Sequence, residues 1–207
     1  MADRTPSFYA ISRVEAYTDA VFAIAATLLV LDLSARSLGA IHSEAQMWAA
    51  LGGLADNVTA FVVSFLLLSL LWMVHFDQFR SLAKADATLL WLNNVRLLFI
   101  VLIPFTTSLV AEYSQYVAGR VMLPVNFFFA ALLGYLSWAW AAARGGHLLK
   151  PEARGRVRAE NAGGLAAVVC GAVAAALSPW VGSWGFCVFF LNGPLTLLLQ
   201  RVARRRG

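Results

Sequence analysis

Within apolar stretches of this 207-residue chain lie a carboxylate, an imidazole, a guanidinium and two carboxamides: Asp19, His75, Arg96, Asn93 and Asn94. A carboxylate and an imidazole are common parts of proton-transfer and metal chemistry, but the spacing here does not assemble them for it. His42 and His147 fall in connections, so no second histidine stands at metal-ligand spacing from His75. The chain has no His-Glu-x-x-His run and no paired intramembrane carboxylates; Glu15 reads as a favourable charge at a helix N-terminus. No enzyme and no cofactor is expected. What these polar groups share is apolar surroundings. A charged side chain at the bilayer centre costs at least about 2.5 kcal/mol, and such groups face a bundle interior or a water-filled path.

The elements that must position them are membrane spans. The chain is 60% hydrophobic and 13% charged, about half the charged share of a soluble domain, and its mean hydropathy is +0.72. We expect an all-α polytopic membrane protein, a single domain over 1–207, with six spans at about 12–33, 55–75, 87–111, 121–143, 161–178 and 181–200. The last two form a hairpin broken at "SPWVGSWG", where Pro179, Gly182 and Gly185 favour a turn. Thirteen of the sixteen Lys and Arg fall on one side of this topology, and only Arg36 and Arg120 on the other. That asymmetry places both termini in the cytoplasm. The N-terminal "MADRTPSFYAIS" lacks a signal-peptide layout and is expected to be retained. The net charge of +5 lies in connections and at the C-terminal "RVARRRG", a stop-transfer and headgroup anchor rather than a nucleic-acid surface. Cys170 and Cys187 lie in apolar segments and read as small hydrophobes.

The polar groups Asp19, Thr27, Trp72, His75, Asn93, Asn94 and Arg96 all fall in the first three spans, so the functional centre belongs to the N-terminal half. At about 100° per residue, Arg13, Tyr17, Ile24, Leu28 and Leu31 share one narrow stripe of the first span with Thr27 at its edge, while Asp19 points about 140° away from Ile24. Two readings of the stripe are open, plain packing or the wall of a pore around a symmetry axis. Asp19 would turn to spans two and three, where Trp72, His75 and Asn93 or Asn94 offer hydrogen-bond partners in one polar cluster.

The run "RVEAYTDAVFAIAATLLVL" resembles the first-helix signature of the transmembrane-protein-175 family, potassium-permeable channels of endosomes and lysosomes with bacterial relatives. Arg13, Tyr17, Thr18 and Asp19 fill its Arg, Phe, Ser and Asp positions, with Tyr for Phe and Thr for Ser. Trp72 and His75 match a Trp-x-x-His in span two, and "LNNVRLLFIVLIPFTTSLV" matches span three. The resemblance implies a homotetramer in the inner (plasma) membrane with four copies of the first helix around the axis. It further implies a hydrophobic constriction at Ile24, Leu28 and Leu31, a hydroxyl layer at Thr27 that favours potassium, and Asp19 pinning the helix from behind with His75 and Trp72. An apolar ring gates by dewetting. Neither a Thr-Val-Gly-Tyr-Gly filter nor an arginine ladder is present. The rivals are a secondary transporter, which calls for repeated halves that this chain does not display, and a proton-conducting protein using Asp19 and His75.

Overall fold

The computed structural model describes residues 9–33 and 38–205. Of the residues weighed above, Arg4, Arg36 and Arg206 lie outside that range, and the side chains of Cys187, Arg204 and Arg205 are likewise not described. Helix α1 runs over Ile11–Leu28 and tightens into a 3-10 segment at Leu29–Leu33. After it come α2 (Glu44–Gly53), α3 (Ala55–Arg80), α4 (Ala87–Val101), α5 (Ile103–Tyr113), α6 (Val117–Gly146), α7 (Val157–Val181) and α8 (Asn192–Arg205). Short α2 belongs to a stretch expected to be a plain connection. Ser43 caps it by accepting from Gln46 N, and Gln46 Oε1 accepts in return from His42 N, a close variant of the capping box.

Five of the helical stretches are long and apolar enough to cross a bilayer: Ile11–Leu31, Ala55–Arg80, Ala87–Tyr113, Val117–Gly146 and Pro151–Val181. The chain is a multi-pass membrane protein. The third crossing is not one straight rod. It breaks at Leu102 between α4 and α5, because Pro104 has no N–H to continue the ladder and is tolerated only in a first helical turn. Asn126 of α6 donates to the Phe99 carbonyl at this break (2.9 Å), re-satisfying backbone that hydrocarbon could not. The segment expected as a sixth helix at 181–200 is composite. Gly182 (φ 57°) ends α7, a 3-10 stretch covers Gly182–Leu191, and α8 begins just before Gly193 and Pro194. That pair suits a helix start and would disrupt a helix interior.

Helix α6 lies at the centre, packed on α4, α5 and α7. The α6–α7 contact relies on small residues. A Cβ on Gly171 would come within 3.3 Å of Phe128 Cα, and one on Gly164 within 2.8 Å of the Tyr135 ring, the close backbone approach that drives helix association in lipid. Gly185 sits against Ala174, and Gly163 against Thr196, so the last segment runs back antiparallel along α7. The main apolar core gathers Phe22, Ala25 and Leu29 of the first crossing with Leu68, Leu97, Ile100, Ile103 and Phe127. A second core around Phe79, Leu89, Trp138 and Leu148 closes one end of the bundle. At that end Tyr9 N donates to Ala85 O (2.9 Å), Ala83 N to Leu148 O (2.8 Å) and Lys150 N to Ser81 O (3.0 Å). The start of α1 and the α3–α4 and α6–α7 connections are thereby knotted together.

Candidate functional site: the first helix and its supports

Helix α1 presents two opposed faces. Thr18, Phe22, Ala25 and Leu29 recur at helical spacing and are buried against α3, α4 and α5. The other face carries Arg13, Tyr17, Ile24, Thr27, Leu28 and Leu31, all exposed in the protomer. Ile24 is 59% and Leu31 66% accessible. These are the residues of the predicted stripe, and within the protomer they stay largely exposed, outside the buried core. Thr27 donates its hydroxyl proton to Ile24 O (2.8 Å), which leaves only oxygen lone pairs directed outward.

Behind the stripe, the expected single cluster of Asp19, Trp72, His75 and either Asn93 or Asn94 is divided among separate contacts. Trp72 Nε1 donates to Asp19 Oδ1 (2.9 Å). Asn93 Nδ2 donates to the buried Thr18 Oγ1 (2.9 Å). His75, also buried, meets neither of these; its Nδ1 stands 3.1 Å from Arg96 Nη1. Asn94 is exposed, one residue off the buried face of α4. The division follows from rotation, since Thr18 and Asp19 are adjacent and so about 100° apart on α1. One reaches α4 and the other α3. Trp72 and His75, three apart on α3, straddle the same two directions.

Arg96, not assigned a role in the sequence reading, organises the interior. It is 2% exposed, donating from Nε to Ala130 O (3.2 Å) and from Nη2 to Leu71 O (3.1 Å). Its third bond is made with His75 Nδ1. A guanidinium has no acceptor lone pair, so the imidazole accepts there and carries its proton on Nε2. Phe22 of α1 lies against both groups, 5.8 Å from the guanidinium carbon and 5.8 Å from the His75 ring centroid, stacked. On the far side His75 meets Phe79 at 4.0 Å. Gly134 leaves the room required, since a Cβ there would stand 3.0 Å from Arg96 Cζ. The signal was available in the sequence as an arginine in the middle of an apolar span, which is rarely left without partners.

Two further polar contacts clasp neighbouring crossings. Thr107 Oγ1 donates to Ser64 Oγ (2.8 Å), and Trp140 Nε1 donates to Asp86 Oδ2 (3.0 Å). A groove of about 340 Å³ between α1 and α3 runs beside Asp19, Phe22, Leu68 and Trp72. Among the described residues no group of three His, Cys, Asp or Glu side chains could hold a metal ion. The arrangement does not bring Asp19 and His75 together as an acid–base pair. It supplies a helix tied from behind, with an apolar outward face interrupted by one hydroxyl.

Comparison with known proteins agrees with this geometry. The model of the family described as "Endosomal/lysosomal potassium channel TMEM175" matches residues 13–104. That range holds α1, α3 and α4 and ends at Pro104. A potassium channel of Streptomyces collinus is 35% identical over 145 residues, 68% of each chain. One from Chamaesiphon minutus is 32% identical over 119 residues, 55% of each chain. The endosomal/lysosomal proton channel TMEM175 of Gallus gallus is 32% identical over 152 residues, 69% of this chain and 30% of that one. Among solved structures, the lysosomal potassium-selective channel TMEM175 homolog from Chamaesiphon minutus superposes with a TM-score of 0.69, at 25% identity, covering 95% of this chain and 97% of the other. A potassium channel MtTMEM175 variant shares the fold, with a TM-score of 0.63 at 18% identity. The signature of the first helix, the supports behind it and these matches lead to one conclusion: the chain belongs to the TMEM175 family.

Proposed function

We propose that the chain is one subunit of a potassium-permeable channel in the plasma membrane, a homotetramer with four copies of α1 around the conduction path. The observation that carries this reading is the outward apolar face of α1, which a single protomer leaves uncovered while tying the opposite face to α3 and α4. Ile24, Leu28 and Leu31 form the hydrophobic constriction, which an ion crosses only with part of its hydration retained. Thr27, whose hydroxyl proton is already given to Ile24 O, offers lone pairs to a partly dehydrated cation. Six crossings, the sixth made of the 3-10 stretch and α8, leave both termini in the cytoplasm. At about 2.0 Å per 3-10 residue and 1.5 Å per α-helical residue, that composite is roughly 40 Å long, enough for the hydrocarbon core.

The test is flux from liposomes under a potassium or a sodium gradient, for the wild type and Ile24→Asn. The reading expects potassium to pass in preference to sodium, and Ile24→Asn to raise flux while eroding that preference. Potassium flux indifferent to Ile24 would place the pathway elsewhere, and absence of flux for either ion would remove the channel reading. Proton conduction is the second reading, favoured by the proton-channel relatives and by a carboxylate, Asp19, beside an open groove. Against a relay, Asp19 is bonded to Trp72 and His75 to Arg96, with no bond between the two. Proton flux abolished in Asp19→Asn would decide for it.

A further inference from the structure

We propose that the end of the bundle formed by the α3 terminus and the α6–α7 connection holds the phosphate of an anionic phospholipid headgroup, gripped by Arg80, Arg144, Lys150 and Arg154. Helix α6 loses helical geometry at Ala143, after which Arg144, Gly145 and Gly146 all take positive φ (51°, 73° and 74°). Glycine adopts this conformation freely; an arginine rarely does, and Arg144 is the one non-glycine residue among those described that holds it. Its side chain is directed rather than loose, with the guanidinium over the Trp140 ring at 5.8 Å. Arg80 repeats the arrangement over Phe76, also at 5.8 Å. The Lys150 ammonium donates to Arg80 O (2.9 Å), bringing a second cation beside the first. The stem of Arg154 lies against Gly146, near enough that a Cβ there would stand 3.2 Å from its Cγ.

These four cations are exposed and none has an acidic partner. At this end His147 pairs with Asp86 (3.7 Å), and Asp86 also caps α4 through Leu89 N and accepts from Trp140. Glu152 pairs with none of them. A group of four exposed cations, two of them over aromatic rings, at the end of two membrane-length helices, has the chemistry of the headgroup layer. The rings lie at the depth of the glycerol region, and the cations reach the phosphates. This apolar floor is why the source is a lipid rather than a free phosphate. Juxtamembrane basic clusters recognise anionic lipid in this way.

The experiment is native mass spectrometry of the purified full chain in detergent, with an equimolar mixture of phosphatidylglycerol and phosphatidylcholine. The wild type should retain phosphatidylglycerol preferentially. Arg144→Gly, which suits the backbone, and Arg154→Gln should each lower the preference by up to about fivefold, with unchanged thermal unfolding in lipid-free detergent. Arg201→Gln, at the basic C-terminus, should leave it intact. Equal retention of the two lipids by the wild type would overturn the proposal. So would loss of preference in Arg201→Gln as large as in Arg144→Gly, which reports bulk charge. Inorganic phosphate at millimolar concentration displacing the lipid would also overturn it, in favour of a free-phosphate site. No readout involves ion flux, so failure here and failure of the channel reading are distinguishable.

Discussion

The contact between Arg96 and His75 makes a prediction whose sign depends on which partner is removed. In wild type the guanidinium is buried with three acceptors, Ala130 O, Leu71 O and His75 Nδ1, and the imidazole is neutral. Arg96→Met removes the charge along with its bonds, leaving one imidazole nitrogen without a donor, and the cost of such an orphan is about 1–3 kcal/mol. His75→Leu keeps the charge and takes away one of its acceptors. Losing a hydrogen bond to a buried charged group costs about 1.5–3 kcal/mol, and the ring contacts of His75 with Phe22 and Phe79 go with it. His75→Leu should therefore be the more damaging, by roughly 1 kcal/mol or about 2–4 °C in unfolding temperature for a chain of this size. The double variant should be more stable than His75→Leu alone, because no uncompensated charge remains. Thermal unfolding of the four proteins in one detergent reads this directly. Arg96→Met less stable than His75→Leu, or a double variant at the sum of the two losses, would refute the account of His75 as a partner that supports the charge.

Other outcomes follow from the same contacts. Thr18→Ala leaves the Asn93 amide without its buried acceptor and should cost about 1–2 kcal/mol, visible as a lower unfolding temperature, whereas Ile24→Ala on the exposed face should not move it. Asp19→Asn preserves an oxygen for Trp72 Nε1, so potassium flux should survive it within about twofold if the bond rather than the charge matters, while Asp19→Leu should lower channel yield or flux. Gly119→Ala places a Cβ against the Tyr113 carbonyl; expression and size-exclusion profiles should show a chain that no longer folds. Gly134→Ala, with its Cβ 3.0 Å from Arg96 Cζ, should destabilise wild type but be relieved in an Arg96→Met background.

The outward face of α1 was legible because a helix converts spacing into direction, and Ile24, Leu28 and Leu31 occupy one direction whatever surrounds them. The Asp19–Trp72 contact was legible in kind, as a carboxylate that needs a donor inside an apolar bundle. The pairing of Asn93 with Thr18, and of His75 with Arg96, was not. Each depends on how far α3 and α4 rotate about their axes, which is set by packing volume at residues such as Gly134 and Phe22 rather than by any local pattern. The break at Leu102 could be anticipated from Pro104. The 3-10 course of Gly182–Leu191 could not, because its aromatic, apolar composition fits an α-helix equally well by length and hydropathy.

The polar ties of α1 to other helices described above lie in its N-terminal part. Tyr9 is bonded to Ala85, Thr18 to Asn93 and Asp19 to Trp72, and Phe22 rests on Arg96 and His75. Beyond Phe22, Ala25 and Leu29 pack into the apolar core. In the proposed channel α1 would act as a lever with its pivot near residue 20. Leu31 stands eleven residues further along, roughly 17 Å at 1.5 Å per residue, so a tilt of about 5° would carry it about 1.5 Å sideways. A ring of four such tips would open or close by about twice that in diameter with no rotamer changing. In the proposed tetramer the width at Leu31 would then be set by an angle, and bilayer thickness or lateral tension, which act on helix tilt, would reach it without touching the ties below.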